Sequence, residues 1–247
     1  VEKLRLEQYL RKAIEHQTLK VVYQPQIDIH TGSIIGAEAL LRWNHPELGM
    51  VPPSKFVPLA EEVGLMTELG EWSLMAVGKR LNAIKEEIDR PFNIAMNISQ
   101  SQFNNRFVDY LETLKKNRLL PPERLTLELT ENTLLHNDEA NMRLVHQIKK
   151  MGVLLSIDDF GTGFSSLSYL TLLPLDQLKV DRSFVLNLFD RENSENIIAA
   201  IIAMTASLNL QLICVGVENS QQCKFLGSKG ATLIQGYLFS EPVDGDK

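Results

Sequence analysis

The sequence predicts an α/β fold, a modified TIM (β/α)8 barrel whose first strand runs antiparallel. Three observations indicate this class: eight apolar stretches have the length of strands, helical patterns separate most of them, and only four residues join the first two. The chain has 247 residues, 44% of them hydrophobic, which is enough for the core of one such barrel. An open, doubly wound sheet is the alternative that the same alternation allows.

The first predicted elements are a helix over residues 1–17 and a β-hairpin. The strands of the hairpin, "KVVYQPQIDI" at 20–29 and "IIGAEALLRW" at 34–43, flank the turn "HTGS". A connection this short can only join antiparallel strands. Two helical stretches, roughly 54–65 and 67–88, follow the hairpin.

Beyond the hairpin, strands and helices alternate regularly. The apolar runs that predict strands are 92–98, 124–130, 153–159, 177–181, 210–217 and 232–237. Helical patterns lie between them, most clearly "FNNRFVDYLETLKKN" and "NSENIIAAIIAMTASLN". Such alternation is typical of parallel βα units, and with the hairpin it brings the number of predicted strands to the eight that a barrel requires.

Charge and cysteine usage exclude several classes of protein. The formal net charge of -6 disfavours DNA or RNA polymers as partners, because binding their backbone needs clustered Lys and Arg. Cys214 and Cys223 are separated by nine positions, which suits neither a metal pair nor a disulfide framework. We therefore expect reduced thiols in a cytoplasmic domain.

We expect residues 1–247 to form a single domain of a longer protein, because the chain begins with Val1 rather than Met. No apolar run reaches the roughly 20 residues of a membrane span, and no signal peptide is visible. Other domains of the same polypeptide, or an anchor to the inner membrane, would then lie outside this sequence.

Polar side chains occur within or at the ends of six predicted strands, and in a barrel the carboxyl ends of strands meet at one mouth. These residues are Glu38, Asn97, Glu128, the pair Asp158 and Asp159, the pair Lys179 and Asp181, and Gln235. Each has an ordinary explanation alone: a single Asp can cap a turn, and Glu38 could pair with Arg42. Independent capping, however, would not put acids on so many successive strand ends.

Several carboxylates at one mouth repel one another unless cations lie between them. Oxygens of Glu, Asp and Asn suit Mg²⁺ or Mn²⁺, and the absence of His and Cys argues against a zinc-only site. Two ions that share one carboxylate would explain the adjacent Asp158 and Asp159, and such a pair can clamp a phosphate for attack by water. The "DFG" segment occurs without the other motifs of protein kinases, and the Gly-rich "GTGFSS" segment lacks the lysine of a P-loop. The sequence therefore indicates neither a protein kinase nor a P-loop nucleotide site.

Seven motifs together resemble those of the EAL domain family, whose members are bacterial cyclic di-GMP phosphodiesterases. They are "EALLRW" (38–43), "NIS" (97–99), "ELTE" (128–131), "DDFGTGFSSLSYL" (158–170), "LKVD" (178–181), "GVE" (216–218) and "QGY" (235–237). The resemblance covers nearly the whole chain. It implies the modified barrel, hydrolysis of cyclic di-GMP to linear pGpG, two Mg²⁺ or Mn²⁺ ions, a homodimer, and a role in bacterial signalling and biofilm control.

The resemblance also assigns roles to single residues. Glu38, Asn97, Glu128 and Asp158 correspond to ligands of the first metal, and Asp158 and Asp159 to ligands of the second. Lys179 corresponds to the lysine that orients the attacking water, and we expect it to be catalytic together with Glu38 and Asp159. The residues expected to line the dinucleotide are Gln24, Arg42, Pro58, Asp181 and Gln235. Glu131 corresponds to the acid that steadies the loop after Asp159, a loop that also contributes to the dimer.

One position departs from the family pattern. The family's seventh strand usually ends in "AEGVE", whereas this chain reads "CVGVE" at 214–218, so that Val215 replaces a glutamate near the metals. Valine neither accepts a proton nor binds a metal, and loss of a positioned base typically costs about 10²–10⁴-fold in rate. Glu218, three residues further on, is not expected to substitute.

Three hypotheses for the function follow. Intact "EALLR", "DDF" and "LKVD" favour an active, slowed phosphodiesterase. Val215 favours a receptor that binds cyclic di-GMP without hydrolysing it. A scaffold that binds no nucleotide is the third, and the presence of Gln24, Arg42 and Asp181 argues against it.

Overall fold

The computed structural model describes residues 2–87, 91–135, 139–161, 167–189 and 193–245. The strands of these residues are β1 (Lys20–Asp28), β2 (Ile34–His45), β3 (Gly49–Val51), β4 (Asn93–Ile98), β5 (Leu125–Thr130), β6 (Leu154–Phe160), β7 (Gln177–Val180), β8 (Gln211–Val215), β9 (Leu233–Gln235) and β10 (Val243–Asp244). The helices are α1 (Glu2–Glu15), α2 (Pro53–Glu62), α3 (Met66–Glu87), α4 (Asn105–Lys116), α5 (Glu131–Leu135), α6 (Glu139–Lys150), α7 (Leu167–Leu172), α8 (Arg182–Leu186), α9 (Ser194–Ser207) and α10 (Ser220–Ser228).

Eight of the described strands close into a barrel, because β2 and β4–β9 follow one another and both ends of this series pair with β1. β1 is antiparallel to β2 and to β9, with Gln24 opposite Glu38 and Ile27 opposite Ile234. The other pairings within the barrel are parallel. The modified barrel with an antiparallel first strand is therefore confirmed, and the doubly wound sheet is excluded because its edge strands would stay unpaired.

Two short strands were not predicted from the sequence. β3 pairs with the end of β2, where Val51 lies opposite Trp43, and β10 pairs with the start of β1, where Val243 lies opposite Tyr23. Strands of three and two residues are too short to show the alternation by which strands are recognised. Conversely, the predicted strand at 210–217 ends early because Gly216 has a φ of +83°, which turns the backbone out of the sheet.

The hydrophobic core lies between the barrel and its helices, and β5 shows how the strands divide their residues. Leu125, Leu127 and Leu129 are fully buried on the outer face, against the helices. Because neighbouring residues of a strand face opposite sides, Thr126 and Glu128 point into the barrel. The interior of the barrel can therefore be polar while the core around it stays apolar. None of the helices within the described residues has the length and apolar character that a membrane crossing requires.

The turn after β6 is held by contacts from two other elements. The amide of Gly161 donates a hydrogen bond to Oε1 of Glu131 at the start of α5, with a distance of 3.0 Å. The φ of Gly161 is +97°, and a Cβ atom at this position would lie only 2.7 Å from the ring of Phe184 on α8. The rest of the predicted loop, residues 162–166, lies outside the described residues.

Gly161→Ala is expected to lower the stability by roughly 1–3 kcal/mol, because the positive φ disfavours a side chain and the methyl group would overlap the ring of Phe184. Gly152→Ala is the matched control: its φ is +95°, but nothing lies within 4 Å of the added Cβ. Urea unfolding of both variants measures the difference. Equal losses in the two variants would contradict a role for the contact with Phe184.

The two cysteines should differ in reactivity, although both are free thiols as the sequence predicted. Cys214 is fully buried, and burial raises its pKa to about 12, so at pH 8 only about one thiol in 10⁴ is the reactive thiolate. Cys223 is half-buried. We expect iodoacetamide to add once to the folded protein, at Cys223, and twice in urea, as read from the intact mass. Two rapid additions to the folded protein would show that β8 opens.

Candidate active site

A buried lysine lies among three carboxylates at the mouth of the barrel. Nζ of Lys179 is 2.9 Å from Oε2 of Glu38, 2.8 Å from Oε2 of Glu128 and 3.4 Å from Oδ2 of Asp158. Lys179 and Glu128 are each 1% exposed, so these ion pairs are shielded from water. The possible pairing of Glu38 with Arg42 does not occur. The charge partner of Glu38 is Lys179, and Arg42 donates to the backbone carbonyl of Leu41.

The register of the parallel strands explains why these groups meet. Asn97 on β4 lies opposite Glu128 on β5, so their side chains are on the same face. Asp158 pairs with Thr130, two residues beyond Glu128, and therefore lies one step nearer the open end of the barrel. Lys179 occupies the inward face of β7, because the alternate residues Leu178 and Val180 belong to the outer core.

Amide side chains complete the hydrogen bonding of Glu38. Nδ2 of Asn97 donates to Oε1 of Glu38 at 2.8 Å, and Nε2 of Gln235 donates to Oε2 at 2.6 Å. Gln235 also donates to Oε1 of Gln24 at 3.0 Å and accepts a hydrogen bond from Gln26 at 3.2 Å. Gln26 was missed at the sequence level. Its spacing of two from Gln24 on the same strand is the signal that could have identified it, since alternate residues share a face.

Burial disfavours the charged form of each of the three central groups, and nearby opposite charges outweigh this effect at Glu38 and Lys179. Burial opposes ionisation of Glu38, but Lys179 and the hydrogen bonds from Gln235 and Asn97 outweigh it, and the pKa of Glu38 lies below its usual range. Burial and the nearby charge of Glu38 hold the pKa of Glu128 well above its usual range. Burial disfavours the charged form of Lys179, yet Glu128, Glu38 and Asp158 raise its pKa well above the ordinary value. The surrounding carboxylates therefore favour the charged form of Lys179.

The adjacent aspartates have different surroundings. Asp158 is half-buried and faces Lys179, whereas Asp159 has a φ of +53° and its amide donates to Oδ1 of Asp158 at 2.9 Å. Burial, with the charges of Asp158 and Asp181, raises the pKa of Asp159 to about 6. The left-handed backbone turns Asp159 away from the strand geometry, which allows two carboxylates in sequence to have different neighbours.

The residues at this mouth fit a divalent cation. Among the described residues, Glu38, Glu128 and Asp158 each offer an oxygen, and these oxygens lie within 4.8 Å of one another. Oε1 of Glu128 is buried without a hydrogen-bond partner, a costly arrangement that a bound cation would relieve. A carboxylate set without His or Cys matches the preference of Mg²⁺ and Mn²⁺. Asn97 contacts this set by donating a hydrogen bond to Glu38, and the amide of Asp159 contacts it by donating to Asp158.

The residues predicted to line the dinucleotide lie in three places. Arg42, Pro58 and Asn97 line a cavity of about 390 Å³ between β2 and α2. Gln24 and Gln235 lie inside the barrel and bond to each other, and Gln24 also donates to the carbonyl of Ser240. Asp181 caps α8 through a hydrogen bond of 2.9 Å from the amide of Ser183.

Val215 is the last residue of β8 and lies opposite Gln235 on β9. Because paired residues of parallel strands face the same side and Gln235 points to Glu38, the side chain of Val215 also faces the barrel interior. It is half-buried. Glu218 lies in the loop before α10 and is exposed.

Comparison with known proteins identifies relatives that match this chain over nearly its whole length. MucR of Pseudomonas aeruginosa, a bifunctional diguanylate cyclase and cyclic di-GMP phosphodiesterase, is 39% identical over all of this chain and 36% of its own length. NbdA of the same organism, a cyclic di-GMP phosphodiesterase, is 38% identical over 98% of this chain and 31% of its own length. The chain thus spans about a third of the length of these curated relatives.

A solved structure and a family model agree with these relatives. The structure described as "PaMucR Phosphodiesterase, c-di-GMP complex" has a TM-score of 0.94 and 39% identity, and each chain is covered over 98%. A structure of the EAL domain of Mycobacterium smegmatis DcpA has a TM-score of 0.77 and 31% identity, with 93% of each chain covered. The model of the EAL domain matches residues 7–242, which confirms the resemblance of the motifs. This chain belongs to the EAL domain family.

Proposed function

We propose that this chain hydrolyses one phosphodiester of cyclic di-GMP to linear pGpG with two Mg²⁺ or Mn²⁺ ions. The observation that carries the proposal is the carboxylate group around Lys179, with the unpartnered oxygen of Glu128, next to a cavity that Arg42 lines. The relatives named as cyclic di-GMP phosphodiesterases support the substrate.

Each predicted site residue has a role in this proposal. Glu38, Asn97, Glu128 and Asp158 would hold one ion, and Asp158 with Asp159 the other. Such ions, when bound, would polarise the phosphate and lower the pKa of a bound water. Arg42 would bind phosphate oxygens through its guanidinium fork, with Pro58 and Asp181 beside the nucleotide. Lys179 would orient the attacking water, Glu131 would hold the turn at Gly161, and Gln24 and Gln235 would support Glu38.

A receptor for cyclic di-GMP is the second candidate, and Val215 favours it. The position faces the barrel interior beside Gln235, where a carboxylate would reach the same mouth as Glu38. A half-buried valine there can neither take a proton from water nor bind a cation. The protein would then keep its affinity for the nucleotide and lose part or all of its turnover.

The decisive assay compares the native chain with Val215→Glu. With cyclic di-GMP and Mg²⁺ or Mn²⁺, we expect the native chain to form pGpG and the variant to form it about 10²–10⁴-fold faster, because the variant regains a positioned base. Chromatography of the products measures both rates. Formation of pGpG by the variant alone would make the native chain a receptor, and no product from either protein would refute hydrolysis.

A binding measurement separates both candidates from a scaffold. Arg42→Ala should weaken cyclic di-GMP binding roughly 10–100-fold, the effect of losing hydrogen bonds to a charged group. Calorimetry in Ca²⁺, chosen to bind the site without supporting turnover, gives the affinity. Arg11→Ala, which removes an exposed arginine of α1 that pairs with Glu7, is the control and should change nothing. Failure of the native chain to bind the nucleotide would leave only the scaffold.

The remaining expectations concern the protein beyond this site. We propose that the chain is one domain of a longer cytoplasmic protein and forms a homodimer through the loop after Asp159. The greater length of the curated relatives supports further domains in the same polypeptide.

A further inference from the structure

Lys179 uses its full hydrogen-bonding capacity on the residues proposed to bind metal. An ammonium group has three N–H donors, and its nitrogen contacts three carboxylate oxygens, from Glu38, Glu128 and Asp158. In this arrangement no donor remains for a water or for the substrate. The role proposed for Lys179 in orienting water therefore requires that at least one of these bonds is released.

Two of the three carboxylate oxygens that Lys179 does not contact already accept hydrogen bonds from other groups. Oε1 of Glu38 accepts from Asn97, and Oδ1 of Asp158 accepts from the amide of Asp159. Only Oε1 of Glu128, among the carboxylate oxygens of these three residues, is buried without a partner. Mg²⁺ takes about six oxygen ligands at about 2.0–2.1 Å, so an ion held by Glu38 and Asp158 as well as Glu128 would use oxygens that already accept hydrogen bonds, those from Lys179 among them.

We propose that Lys179 is an internal counter-cation that competes with the divalent ion for the same carboxylate oxygens. This inference rests on the proposed function only for the identity of the ion. The lysine lowers the affinity of the site for metal, and in exchange its contacts reduce the cost of burying Glu38 and Glu128. Glu38, Glu128 and Asp158 would release Lys179 when they hold a divalent ion, so its N–H groups would become free only in the metal-bound protein.

The test measures metal affinity rather than activity. Calorimetry with Mg²⁺ alone, at pH 8.5 and without nucleotide, compares the native chain with Lys179→Met, a neutral side chain of similar length. We expect the variant to bind Mg²⁺ roughly tenfold tighter or more, because a positive charge within about 4 Å of the ligands is removed. In EDTA the variant should melt at a lower temperature than the native chain, and Mg²⁺ should raise its melting temperature by the larger amount.

Lys149→Met is the matched control. Lys149 on α6 contacts Asp176 at 2.5 Å, at the amino-terminal end of β7 and thus at the opposite end of the barrel. Its replacement also removes one lysine and one partly buried ion pair. We expect a lower melting temperature and an unchanged affinity for Mg²⁺, which shows that instability alone does not tighten metal binding.

Every outcome decides the inference. Equal or weaker Mg²⁺ affinity in folded Lys179→Met overturns it. If that variant is unfolded in EDTA, recovery of the native circular dichroism on addition of Mg²⁺ supports it, and failure of both Lys179→Met and Lys179→Gln to bind Mg²⁺ overturns it. The proposed function is tested separately, by pGpG formation in the native chain. If Lys179→Met binds Mg²⁺ more tightly but the native chain forms no pGpG, hydrolysis alone is refuted. If the native chain forms pGpG but Lys179→Met has an unchanged affinity for Mg²⁺, competition alone is refuted.

Discussion

The buried ammonium of Lys179 is the interaction on which the polar interior of the barrel depends. Removing a carboxylate from water costs several kcal/mol unless a charge and hydrogen bonds replace the lost hydration. Lys179 supplies the charge for Glu38 and Glu128 at once, and Asn97 and Gln235 supply hydrogen bonds to Glu38. Because these residues share hydrogen-bond and charge partners, the effects of their substitutions on the free energy of unfolding will not be additive. A change at one carboxylate will alter the surroundings of the other through Lys179.

Much of the fold could be predicted because it depends on patterns within the sequence. The apolar strands at regular intervals and the four-residue turn before Ile34 are local signals, and together they leave few arrangements other than a barrel with one reversed strand. The polar residues of the strands, such as Glu38 within β2 and Asp158 near the end of β6, could be recognised as a set because a barrel brings its strands together whatever the details of packing. The family motifs added roles that strand positions alone do not give.

The contacts within the set could not be predicted, because they depend on register and side-chain direction. Nothing in the sequence shows that Glu38 pairs with Lys179, which is 141 positions away, rather than with Arg42. Gln26 reads as an ordinary strand residue until its hydrogen bond to Gln235 is known. Gln24 and Gln235 were expected at the nucleotide, but their hydrogen bonds, from Gln235 to Gln24 and to Glu38, depend on three strands at once.

The reversed direction of β1 changes which part of the chain lies next to the candidate site at the mouth of the barrel. In an ordinary (β/α)8 barrel the segment before β1 enters at the end opposite the active site, but here Lys20, at the start of β1, lies opposite Arg42 at the mouth. α1 accordingly packs against α2 and Trp43 on that side. Gln24, four residues along β1 from Lys20, accepts a hydrogen bond from Gln235, which also donates to Glu38. One short strand segment and two hydrogen bonds therefore connect the start of the barrel to a carboxylate of the candidate site.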